Sequence, residues 1–382
     1  MNNEEYLYLD HAATTLMREE AFEAFKKTEI DAYANSSGGH ALSRKAKNIL
    51  EDCRDYIASC FGAAPNEITF TSGGTESDNW IIKSIYSENK SKQGKLVTSK
   101  IEHEAVLSSA EWLQSKGYDV EYLSCNKNGV IELEELKSNW SSNISLVSIM
   151  YANNETGVIQ PIQEFSKYIK QKDRKVIFHS DVVQAVSTEK LDFHKLGIDS
   201  AAISAHKIGG PKGIGVMFIS SKFKIPSFFH GGKQELERRA GTVNVSGVAA
   251  LSAALDVQQR NLEIEKTIIN NERNIFEEKL KQSLDVEVVG QNTQRLCHIS
   301  NIQFKNFNSE TLMIAFDLNG LGVSRGSACA SGAQKPSHVL VAMNIPQKHI
   351  NSHLRFSFGW TTKTGDGLRA ADKVIKTIKE MN

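Results

Sequence analysis

The middle of the chain alternates short apolar, β-rich runs with longer stretches of helical pattern. Residues 67–71, 95–99, 120–123, 144–150, 175–178, 200–203 and 214–218 read as strands. Helices are predicted to follow from about Thr75 and from about His103. The run 144–150 is continuous enough in apolar residues to read as a buried strand. Strands alternating with helices predict an α/β unit with a mostly parallel sheet of seven strands.

From about residue 245 the texture changes. A long helical stretch reaches residue 280, and strands are predicted at 286–289, 299–304 and 354–358. The last helix sets Ala371, Val374, Ile375 and Ile378 at i, i+3, i+4 and i+7, one apolar face. This is a smaller α+β unit. The expected division is a large domain over residues 15–250 and a small domain made of residues 1–14 and 251–382. No repeat or Pro-rich linker separates them, so close packing is expected.

Charge changes this picture little. Lys plus Arg is 45 and Asp plus Glu is 45, so no whole-chain basic footprint points to nucleic acid. No apolar run approaches the roughly 18 residues that span a bilayer. The acidic start, Met1 to Glu5, is not expected to act as a secretory signal. The five cysteines, Cys53, Cys60, Cys125, Cys297 and Cys329, form no CxxC pair. Reduced thiols in a cytoplasm are therefore expected.

Several motifs fall where strands end, the usual place for a ligand in a parallel sheet. Ser204-Ala205-His206-Lys207 leads from an apolar run into a Gly-Pro-Gly turn. A lysine desolvated there has a lowered pKa and suits Schiff-base chemistry; a solvated loop lysine is the plainer reading. Thr71-Ser72-Gly73-Gly74-Thr75 joins a strand to a helix and could cradle a phosphate, or simply cap the helix. His103 could stack on a planar group or cap a helix. Asp181 could pair with a pyridine nitrogen, and the Asn153-Asn154 turn could reach a ring oxygen; turn chemistry accounts for both as well. Gly326-Ser327-Ala328-Cys329-Ala330-Ser331-Gly332 is a small-residue loop that buries little. A mobile loop and a nucleophilic thiol are one reading of it, an incidental free thiol the other.

In their order and spacing these motifs resemble the group I cysteine desulfurases, within the fold-type-I pyridoxal-phosphate enzymes. The resemblance runs from Tyr8-Leu9-Asp10-His11-Ala12-Ala13 to beyond Leu354-Arg355-Phe356-Ser357. It is carried chiefly by Ser204-x-His206-Lys207 and by Gly326-Ser327-Ala328-Cys329 with Pro336-Ser337-His338 behind it. It implies that Lys207 holds pyridoxal phosphate covalently. Gly74, Thr75, Ser204 and His206 would bind its phosphate. Thr242 would reach the phosphate of a second subunit, which implies a homodimer. Asp181 would pair with the ring nitrogen, Asn154 and Gln184 would address the ring oxygen, and His103 would stack and move protons. Arg355, with Asn154, would hold the substrate carboxylate. Cysteine would leave as alanine, its sulfur taken by Cys329 as a persulfide. A protein acceptor, such as an iron–sulfur scaffold or a tRNA-thiolation enzyme, would receive it. No resident metal is implied, only a transient contact of Cys329 with an iron–sulfur cluster.

Some positions depart from the family pattern: His11, Ser36 in place of proline, and Lys233, Leu236 and Glu237 in the segment leading to Thr242. The C-terminal extension by which some members dock a scaffold is expected to be short. An aminotransferase or other lyase of the same fold would keep Lys207 and Asp181 without needing Cys329. A non-catalytic binding protein would need none of them.

Overall fold

The computed structural model describes residues 6–87, 94–326 and 336–381. Strand β1 (Leu7–Tyr8) opens the described chain. Seven strands then build one sheet: β2 (Ile68–Thr71), β3 (Lys95–Ser99), β4 (Asp119–Leu123), β5 (Ile144–Ser148), β6 (Ile177–Asp181), β7 (Ser200–Ser204) and β8 (Gly215–Ile219). Their spatial order is β2-β8-β7-β6-β5-β3-β4. All neighbours are parallel except those of β8, which runs against both β7 and β2. The reversal is local in origin. After β7 the chain makes a compact turn, closed by Ala205 N–H on the Ile214 carbonyl at 3.1 Å, and returns beside the strand it left.

Strands β6 and β7 extend further into polar sequence than hydropathy alone suggests. His179, Ser180 and Asp181 end β6 and are buried, as is Ser204 at the end of β7. Buried polar groups persist where hydrogen bonds satisfy them, and His179 meets Asp78 and Ser200.

A second sheet contains β9 (Val286–Val288), β10 (Ile299–Phe304) and β12 (His353–Ser357), all antiparallel, with β10 in the centre. Strand β1 pairs in parallel with β11 (Leu321–Gly322). Leu7 and Leu9 pack into the apolar cluster under this second sheet, with Phe276, Phe304, Phe316 and Phe356. The helix Val245–Ser283 belongs to both cores. Its first turns put Val248, Leu251 and Leu255 under the large sheet, and its last turns put Phe276 and Leu280 under the small one.

Phe356 sits at the hub of the smaller core, with ring centroids 4.8 Å from Phe276, 6.1 Å from Phe304 and 6.2 Å from Phe316. Truncating a ring so enclosed loses its transfer free energy and leaves a cavity. Phe356→Ala is expected to cost about 3–5 kcal/mol, measured as a lowered urea midpoint.

Candidate active site

Strand β7 is buried along its whole length and delivers Lys207 through the single turn Ala205–Lys207. The Lys207 Nζ donates to the carbonyls of Ala12 and Ala13, the second at 2.8 Å. Burial pushes its pKa down to about 8, and the nearby Arg355 cation adds to the shift, with Asp181 and Asp10 opposing it. The surrounding backbone is tied to the same stretch of chain. Thr15 N–H bonds the His206 carbonyl at 3.2 Å, and the Arg18 guanidinium bonds the Ile208 carbonyl at 3.0 Å. Arg18 is itself held by a two-pronged pair with Glu265, at 2.8 and 2.7 Å.

The helix Gly74–Ser87 begins beside the ends of β7 and β8. Gly73 has φ +150°, a conformation open essentially to glycine alone. A Cβ on Gly215 would come within 2.5 Å of Gly73 Cα, and a Cβ on Gly74 within 2.8 Å of the Val183 side chain. The turn and the strand ends therefore approach at distances that only bare backbone permits. The first-turn N–H groups of a helix lack intrahelical partners, and together with its dipole they favour an anion. Thr75 is exposed at this corner, while Ser204 is buried next to Gly73. His206 contacts Thr14 Oγ1 at 3.2 Å through Nδ1, and burial beside Lys207 and Lys212 brings its pKa down to about 4, so the ring is neutral. Glu76 is engaged elsewhere: it accepts from Ser72 N–H at 2.8 Å and pairs with Arg239 at 2.9 Å.

Asp181 ends β6, buried, with Oδ1 accepting from Val183 N–H at 2.8 Å. Burial raises its pKa, opposed by His103, Val183 N–H and Lys207. His103 is exposed at the head of the helix Glu104–Ser115, where Nδ1 accepts from Ala105 N–H at 3.2 Å. Gln184 donates to the Ala12 carbonyl at 3.0 Å. Asn154 stands in a turn built by its neighbour: Asn153 Oδ1 accepts from Glu155 and Thr156 N–H, each at 2.9 Å.

Arg355 rises from β12, buried. Its Nη2 pairs with Asp10 at 2.7 Å and its Nη1 donates to the carbonyls of Asn154 at 3.0 Å and Gly326 at 3.2 Å. Its Nε is buried and meets no partner among the described residues, so one donor of the fork remains uncommitted.

Lys207, Asp181, His103, Gln184, Asn154 and Arg355 thus come together from two sheets and several loops. Thr242 does not join them; it is exposed on the surface of the protomer. Cys329 lies outside the described residues. The flanks of its segment are fixed, since Gly326 meets Arg355, and Ser337 Oγ donates to buried Glu155 at 2.6 Å. Reading the sequence alone overlooked Asp10, Asp78, Glu155 and His179. For His179 a signal existed: a polar residue two positions before Asp181 in a buried strand shares its face.

The departures from the family pattern find local partners. His11 Nδ1 lies 2.6 Å from Thr15 Oγ1, and burial holds its pKa down to about 4. Asn35 Oδ1 accepts from Ser37 N–H at 2.9 Å, which closes the turn at Ser36 without a proline. Glu235, Leu236 and Glu237 all have positive φ, +48°, +57° and +64°. Glu235 holds this strained segment down: its carboxylate is buried, paired with Arg54 at 2.8 Å and accepting from Phe70 N–H at 2.8 Å.

Residues 7–366 match the family model described as aminotransferase class-V. A protein of Dictyoglomus turgidum named cysteine desulfurase IscS is 39% identical over 376 residues, which cover 98% of this chain and 95% of that one. A solved structure titled "NifS-like protein" superposes with a TM-score of 0.92 at 30% identity, covering 98% of this chain and 100% of the other. Another, titled "SspA in complex with cysteine", gives a TM-score of 0.81 at 30% identity, covering 92% and 98%.

The left-handed conformation costs a side-chain-bearing residue about 1–2 kcal/mol, and the exposed Lys233–Glu237 pair returns little of it. Glu237→Gly is expected to stabilise the chain by about 0.5–1 kcal/mol, read as a higher melting temperature.

Proposed function

The chain belongs to the class-V aminotransferase family, and within it to the cysteine desulfurases, and from that premise we propose how its residues do this work. The reaction takes sulfur from L-cysteine, leaves L-alanine, uses pyridoxal phosphate and passes the sulfur to an acceptor. The residues present fit that cofactor. Bare backbone at Gly73, Gly74 and Gly215 lets the strand ends close onto the head of the helix Gly74–Ser87, whose first-turn N–H groups favour an anion beside Ser204, Asp181 is a buried carboxylate, and Lys207 is a desolvated amine. Lys207 would hold the group, Gly74, Thr75, Ser204 and His206 its phosphate, Asp181 its ring nitrogen, and Asn154 and Gln184 its ring oxygen. Bound there, pyridoxal phosphate supplies an electron-withdrawing ring that stabilises charge developing at the substrate's α-carbon.

Arg355 is the group that orients the substrate. Its Asp10 partner fixes the guanidinium plane, and the uncommitted Nε–H is free to donate to a carboxylate. Lys207, with a pKa of about 8 against an ordinary lysine's 10.5, keeps a far larger neutral fraction near physiological pH than an ordinary lysine, so Nζ can take the α-proton. His103, exposed at the edge of the site, would stack on the ring and move a second proton. The Cys329 thiolate attacks the substrate sulfur. An S–S bond forms to Cys329 Sγ while the substrate C–S bond breaks; its electron pair stays with the carbon fragment, which gains protons to become alanine. The observation that carries this reading is the convergence of the desolvated amine of Lys207, the buried Asp181 and the Arg355 fork with its spare donor.

The wider arrangement follows from the same reading. Residues 15–250 form the cofactor-binding domain, and residues 1–14 with 251–382 the small domain that carries Cys329. Thr242, exposed on the protomer, would reach the phosphate of a second copy in a homodimer. The acceptor would be a protein thiol, on an iron–sulfur scaffold or a tRNA-thiolation enzyme. No helix among the described residues is long and apolar enough to cross a membrane.

Borohydride reduction followed by peptide mass mapping is expected to find the cofactor on Lys207 and on no other lysine. Cys329→Ser is expected to lower alanine release from cysteine at least about 100-fold, the order seen when a nucleophile is removed, while cofactor binding is kept. Undiminished alanine release would favour a lyase or aminotransferase instead. The kcat profile is expected to fall on the acid side through a pKa of about 8, because the Lys207 amine, free once substrate is bound, is protonated below it.

A further inference from the structure

Behind Asp181 lies a buried polar chain that the reaction as described does not use. His179 and Asp181 sit two residues apart on β6 and so share one face of the strand. Asp78, from the second turn of the helix Gly74–Ser87, meets His179 there: Asp78 Oδ1 and His179 Nε2 are 3.1 Å apart. On its other side His179 Nδ1 is 3.0 Å from Ser200 Oγ, on the residue facing it across the β6–β7 ladder. Ser200 Oγ in turn reaches Met217 Sδ at 3.7 Å. Asp78 is 1% exposed and His179 and Ser200 are fully enclosed, so bulk solvent does not reach them. An Asp78 oxygen, an Asp181 oxygen and a His103 ring nitrogen all lie within 4.8 Å of one another.

Two proton arrangements are open to this chain. Burial drives the His179 pKa down to about 3, so the ring is neutral and carries a single N–H. If the hydrogen is on Nε2, it points at an ionised Asp78, and Ser200 must donate to Nδ1. That places a second negative charge beside Asp181, with buried Glu102 also near, while Asp78 Oδ2 meets no donor among the described residues. An unsolvated, unpaired charge is heavily penalised. If the hydrogen is on Nδ1, it points at Ser200 Oγ, the Ser200 hydroxyl turns to Met217, and Nε2 accepts from a protonated Asp78. Every donor is then used, and only a neutral carbonyl oxygen is left unmet, which costs far less than an unsolvated charge. The second arrangement wins. Asp181, by contrast, has the Val183 N–H and the nearby Lys207 cation to hold a charge.

We propose that Asp78, hydrogen-bonded through His179, keeps its proton and thereby confines the single negative charge of the Asp78–Asp181 pair to Asp181. Asp78 is then a positioning residue: it acts through Asp181, and determines that the carboxylate that would pair with the ring nitrogen is the ionised member of the pair. The inference rests on the proposed pairing of Asp181 with that nitrogen. The direction of the Asp78 shift agrees, since burial first and the Asp181 charge second raise its pKa well above that of an ordinary aspartate.

Infrared difference spectra of the full chain against Asp78→Asn, with pyridoxal phosphate bound and with it removed, test this directly. The variant is expected to lose a protonated-carboxyl C=O band at pH 8 in both forms and to lose no carboxylate band. The pH midpoint of the bound cofactor's absorption is expected to be unchanged, because asparagine keeps the same neutral charge and can donate to His179. Loss of a carboxylate band, or a midpoint moved by about one unit or more, as removal of a neighbouring charge would cause, overturns the proposal. Should Asp78→Asn not fold, carboxyl-13C labelling of aspartate in the wild-type chain and in Asp181→Asn serves instead. A protonated aspartate at pH 8 in both supports the proposal, and its absence from the wild type overturns it. A chain that binds no cofactor yet shows the band would refute the role of Asp181 and leave the proton on Asp78 standing.

Discussion

One short stretch of backbone, Asp10 to Ala13, holds two cations that come from different sheets. The Asp10 carboxylate takes the Arg355 guanidinium from β12, and the Ala12 and Ala13 carbonyls take the Lys207 ammonium beyond β7. The stretch is pinned in its turn, by Gln184 on the Ala12 carbonyl and by Ser357 on the N–H groups of His11 and Ala12. Two like charges brought together need compensation, and here it is supplied by a carboxylate and by carbonyl dipoles. The geometry of the site depends on that stretch more than on either sheet alone. It also explains why the first residues of the chain pack where they do: β1 must lie against β11 for Asp10 to reach Arg355.

The strand pattern of the large sheet was legible because most of its strands, β2, β6, β7 and β8 along their whole length, are buried and read as apolar-rich runs, while the edge strand β4 is partly exposed. Lys207, His103 and Asp181 were legible as residues at strand ends, where a parallel sheet presents ligands. Other parts were not. The reversed direction of β8 follows from a turn whose hydrogen bonds no hydropathy pattern records. The pairing of β1 with β11 joins residues more than three hundred positions apart. Asp78 reads as an ordinary polar residue of an amphipathic helix until the fold sets it against His179.

The segment 233–239 shows the opposite situation, where the sequence departs from a pattern and the fold absorbs it. Three successive residues take a left-handed backbone, which local preference opposes. The buried Arg54–Glu235 pair and the Arg239–Glu76 pair hold the segment against the large sheet and the head of the helix Gly74–Ser87. Removing one partner of such a buried pair leaves an uncompensated charge, so the strain is kept in place by electrostatics.

The helix Val245–Ser283 is common to both hydrophobic cores. At about 1.5 Å per residue it is a rod nearly 60 Å long. Neither core can lose its share of the rod without exposing apolar surface that the other still needs ordered. The two cores are therefore mechanically in series, and heat should take them apart as one cooperative unit, with a calorimetric enthalpy close to the van't Hoff value.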